Sequence, residues 1–183
     1  MKTSSTLKIS MLISALLALP VAQAATMAKA DYDLAKKGIS AGYKADKASC
    51  SSMSGNAKDI CVEVAKAKEK VANAELTFSY TGKAADHTKV QVAKAESAYA
   101  VAKEKCDDLA GNAKDVCRKE AKAVEVKALV DAKMAKKIDT TRKEGAQDKI
   151  DADYKVAVEK CDALAGDAKS SCMASAKAKF GKT

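Results

Sequence analysis

One pattern recurs three times in this chain: Tyr-x6-Cys-x4-Gly-[Asn/Asp]-Ala-Lys-x2-Cys. The copies open at Tyr43, Tyr99 and Tyr154 and close at Cys61, Cys117 and Cys172. They are spaced 56 and then 55 residues apart. Such a period marks duplication of one supersecondary unit, so the fold of the chain is the fold of that unit, repeated.

Each part of the unit has a local meaning. Val92, Ala95, Tyr99, Ala102, Cys106 and Leu109 alternate three and four residues apart, a stripe along one helical face. Ile150, Tyr154, Ala157, Cys161 and Leu164 repeat it in the third unit. In the first, Ile39, Tyr43, Cys50 and Met53 fit and Asp46 interrupts. Gly55, Gly111 and Gly166 are expected to end this helix in a left-handed cap. Asn56, Asn112 and Asp167 are expected to accept a hydrogen bond from the free amides of the next helix. The unit is then a helix, a two-residue hinge and an antiparallel helix.

The cysteines support the hinge by geometry. On an unbroken helix, residues eleven apart, as in each unit, would sit about 16 Å from one another. A disulfide needs Cα atoms within roughly 4.4–6.8 Å. Folding at the Gly-[Asn/Asp] pair brings them together, and one pair per unit favours Cys50–Cys61, Cys106–Cys117 and Cys161–Cys172. Each short loop is expected to contribute on the order of 2–3 kcal/mol, a large share where the core is thin.

The core is thin by composition. Ala accounts for 39 of the 183 residues and Lys for 31, Trp is absent and His occurs once. After Ala24, Leu, Ile, Val and Phe make up 23 of 159 residues, below the roughly one fifth at which charged chains drift towards disorder. Helix propensity of Ala, six cysteines and the lack of any proline after Pro20 argue for order instead. The expected fold is all-α: antiparallel helical hairpins, each stapled by a disulfide, with one long connecting helix. Helices are expected at about 27–53, 57–76, 88–110, 113–165 and 168–179, with Gly38 and Gly42 weakening the first. These make hairpins over about 27–76, 88–138 and 147–180. Thr77 to Gly82, running on to His87 and Thr88, reads as a loop.

Residues 1–24 read as a secretory signal peptide. Lys2 and Lys8 precede an apolar run from Ile9 to Leu19, and Ala22-Gln23-Ala24 ends in an Ala-x-Ala cleavage pattern. The mature chain, 25–183, is expected to carry no transmembrane segment and a net charge of +7, two less than the +9 of the whole sequence. That charge is lysine, a flexible point charge, with only Arg118 and Arg142 able to fork onto phosphate. Weak, non-specific, salt-sensitive attraction to polyanions is expected, without a shaped nucleic-acid site.

No candidate catalytic, cofactor-binding or metal-binding residue emerges. The cysteine spacing is wider than that of dithiol exchange motifs, and each first cysteine nears a helix C-terminus, which disfavours a thiolate. Lone His87 reads as a solvated loop residue, and zinc would want clustered ligands. Tyr43, Tyr99 and Tyr154 read as packing against the opposing helix, with a ligand-stacking ladder as the alternative. Glu63, Glu69, Glu104 and Glu120 read as helical charge partners of the lysines.

The hairpin text, above all Tyr99-AVAKEKCDDLAGNAKDVC and CDALAGDAKSSC, resembles small Ala/Lys-rich exported proteins of Gram-negative bacteria, often labelled cell-envelope or TolA-like proteins. The likeness runs over nearly all of the mature chain; to TolA itself it is compositional. It implies a periplasmic helical protein and carries over no catalytic residue. The expectation is a non-enzymatic periplasmic repeat protein with a structural, stress-related or interaction role in the envelope and an unidentified protein partner. A binder of anionic envelope polymers or nucleic acid is the alternative, and a thiol-redox or chaperone-like factor a further one.

Overall fold

The computed structural model describes residues 27–182. The leader reading and its cleavage residues, Ala22 and Ala24, lie outside them. Among the described residues all regular structure is helical: α1 Lys29–Ser49, α2 Gly55–Thr81, α3 Ala84–Lys105, α4 Gly111–Asp162 and α5 Gly166–Phe180, with short 3₁₀ turns after α1 and α3.

The long connection is one helix. No proline interrupts α4, and its 52 residues span about 78 Å. By contrast, the loop expected from Thr77 to Thr88 is not there. Thr77 donates its hydroxyl to the Asn73 carbonyl (2.8 Å), keeping a β-branched residue inside α2. Phe78 packs on His87 (ring centroids 5.0 Å apart), and Tyr80 on Tyr32 (4.7 Å). Aromatic packing overrides the weak local propensity. The stop comes at Gly82, whose φ of 62° is left-handed and whose N–H donates to the Phe78 carbonyl at 2.8 Å. Thr81 then donates to the Asp86 carboxylate (2.6 Å) and accepts from the Lys83 N–H (3.2 Å), tying α2 to the first turn of α3. His87 and Thr88 are therefore helical residues of α3, and the link is Gly82-Lys83 alone.

Each helix packs on its neighbours in sequence: α1 on α2, α2 on α3, α3 on the first half of α4, and α5 on the far end of α4. The first four helices form an open row instead of a closed bundle. The buried apolar residues are mostly small, with Leu76 and Val90 the large aliphatic exceptions, and the largest fully buried side chains are Cys50, Cys106 and Cys161. At 22 residues, or about 33 Å, α3 covers less than half of α4. From Lys133 to Ile150 every residue is exposed except Asp139 and Gly145, which are half-buried.

Candidate functional site

The repeated motif builds three hairpin tips of one design. In each, the helix ends at or one residue after the first cysteine, whose carbonyl accepts the N–H of the third residue on: Met53 to Cys50 at 3.1 Å, Leu109 to Cys106 at 3.1 Å and Leu164 to Cys161 at 3.0 Å. Two extended residues follow. Gly55, Gly111 and Gly166 then take φ of 57°, 55° and 57°, a region that L-residues enter only at a penalty. The disulfides Cys50–Cys61, Cys106–Cys117 and Cys161–Cys172 close the tips with Cα separations of 5.7, 5.7 and 5.6 Å. The first cysteines are buried to within 1% and the second ones are more open to solvent, so attack by an external thiolate is restricted to one side of each bond.

Two expectations about the hinge need correcting. Each glycine opens the second helix and does not close the first, which has already ended at the cysteine turn. Nor does the next residue cap by accepting. The N-cap positions are Ser54, Ala110 and Ala165, and none makes a side-chain cap bond. Asn56 donates its side-chain amide to the Glu104 carbonyl at 2.9 Å, which fixes the first tip beside the second. Asn112 and Asp167 are exposed. The left-handed glycine redirects the chain by itself, so a side-chain acceptor is not needed for the turn.

The motif lysine has a partner that the repeat pattern left out. Lys114 reaches Asp107 at 3.0 Å, and Lys169 reaches Asp162 at 2.8 Å; each acid directly follows the first cysteine. Arg118 joins Asp107 from the same helix. These bonds, that of Lys114 foremost, hold the Asp107 carboxyl below the usual aspartate range. Unit one carries Ser51 at this position, and Lys58 is exposed. The signal was available as an Asp seven residues before the motif Lys in two of three copies. Met53, Leu109 and Leu164, placed on the apolar stripe by spacing, are 45, 44 and 44% exposed. Beyond the cysteine the stripe leaves the helix, and its last residue becomes a knob at the tip.

The tyrosines do meet the opposing helix. Lys122 of α4 lies 4.8 Å over the Tyr99 ring, and Tyr154 meets Phe180 of α5 edge-on at 6.1 Å. Tyr43 borders the α1–α2 groove with Ala65 and Ala72. Several acids pair across helices as well as along them: Asp46 with Lys68 (3.0 Å), Glu96 with Lys70 (2.6 Å) and Glu75 with Lys94 (2.7 Å), beside the local Glu63–Lys66 pair (2.9 Å). Among the described residues every cysteine is in a disulfide, and no three of His, Cys, Asp and Glu gather as a metal site would require. No described helix is long and apolar enough to cross a membrane.

The geometry defines a class, the disulfide-stapled helical-hairpin repeat. Comparison with protein-family models, curated proteins and solved structures finds no match for this chain.

Proposed function

We propose that this is a non-enzymatic periplasmic spacer, an envelope protein that holds binding tips a fixed distance apart. One observation carries the reading: the same stapled tip stands at both ends of one continuous helix. From Cys117 to Cys161 the axis runs about 66 Å at 1.5 Å per residue. Each tip presents a half-exposed apolar side chain, Met53, Leu109 or Leu164, on a covalently fixed turn. A rigid turn loses little entropy on binding, which suits it to recognition. Disulfides in every unit fit an oxidising compartment such as the periplasm.

The reading is tested by site-specific photocrosslinking in intact cells. Crosslinkers at the neighbouring exposed positions 110 and 165 are expected to give discrete adducts with an envelope protein, lost in Leu109→Asp and Leu164→Asp variants. A crosslinker at 143, mid-helix, is expected to give none. Equal labelling from all three positions, or recovery of the chain in reduced form from the cytoplasm, would overturn it.

A further inference from the structure

The side of α4 facing away from α3 carries Val126, Val130, Met134 and Ile138, each four residues after the last. Their exposures are 47, 47, 56 and 47%. At about 100° per residue they lie on a different side from Glu125 and Ala132, which α4 buries, and so form the free edge of the helix row. Lys127 and Lys137 share this side and Lys133 and Arg142 border it, all exposed. The ion pairs of this stretch are made elsewhere, by Arg118, Lys122 and Lys143. Between Val126 and Arg142, Asp131 is the one acid on the stripe's side among the described residues.

We propose that this edge docks on the surface of a bilayer containing anionic phospholipid. Charge chooses among the occupants. A second copy would set the same unpaired cations against one another, whereas anionic headgroups complement them. Shape points the same way. The stripe stands on a single convex helix, where a depression lined by Met134, Lys137, Ile138, Thr141 and Arg142 lies open to solvent, and a bilayer needs no matching shape. Lysine stems beside it can lie along the interface with their ammonium groups at headgroup level, while Val, Met and Ile enter the acyl boundary.

The test is vesicle flotation of the oxidised mature protein, with phosphatidylglycerol–phosphatidylcholine vesicles against phosphatidylcholine alone. Binding is expected only to the anionic vesicles. It should drop at least tenfold both in Val130→Asn/Met134→Asn/Ile138→Asn and in Lys127→Gln/Lys137→Gln/Arg142→Gln. A solvatochromic amino acid at 134 should shift to the blue on the anionic vesicles and one at 143, on the opposite side, should not; this readout stands even if the triple variants lose helix. Binding that survives the apolar substitutions, equal binding to both vesicle types, or dimerisation abolished by those substitutions would each overturn the proposal.

Discussion

Asp107 is the residue on which the second tip's electrostatics turn. Lys114 and then Arg118 stabilise its charged form, so folding lowers its pKa. A depressed carboxylate stabilises the fold above its unfolded value, about 3.9, and that stabilisation is lost as pH falls through the folded value. Asp86, held down first by Lys89 and then by Thr81, and Asp151, by Lys182 and then Gln147, act in the same direction. Asp107→Asn should therefore melt below the parent at pH 7, with the gap closing as pH falls below about 4 and the parent's own carboxylate protonates. Melts across that range check this. A gap that stays constant down to pH 2 would show that the pair is not responsible.

At the scale of elements, two glycines of α4 should respond in opposite ways to the same change. Gly145 lies mid-helix, with open space where an added methyl would sit and an ordinary helical φ. Ala there should strengthen the uncovered stretch by about 1 kcal/mol, slowing amide exchange over residues 140–150 roughly fivefold. Gly111, at φ 55°, also has room for a Cβ, yet Ala is strained there by about 1–2 kcal/mol and should lower the melting temperature. Equal effects at the two sites would contradict the assigned backbone. What was legible in the sequence follows the same division. The continuity of α4 and the disulfide pairs could be read because they depend on local propensity and on a repeat that carries its own register. The end of α2 could not, because Phe78 and Tyr80 are helical through partners in α3 and α1, contacts that no local window contains. The acid after the first cysteine was visible but absent from unit one, so a pattern built on all three copies discarded it.

For the whole molecule, contacts concentrated between helices adjacent in sequence make stability close to a sum of local parts. The three staples contribute on the order of 2–3 kcal/mol each and, in Cys50, Cys106 and Cys161, also hold the largest fully buried side chains. Reduction should lower the melting temperature markedly while leaving most of the helical circular dichroism at 25 °C, since alanine-rich helix does not depend on the crosslinks. Loss of the helical signal on reduction would mean that the staples create the helices and do not merely hold them in place.

The uncovered middle of α4 also sets a phase. Because one unbroken helix joins the second tip to the third, the direction in which the third points is counted in residues. One residue added between Lys133 and Ile150 turns it by about 100° and moves it by about 1.5 Å. Seven added residues return it to within about 20° of its first heading, roughly 10 Å further out. Length and azimuth of the two ends are thus coupled, and a chain of this build can change its reach only in steps of whole turns if both ends are to keep facing the same way.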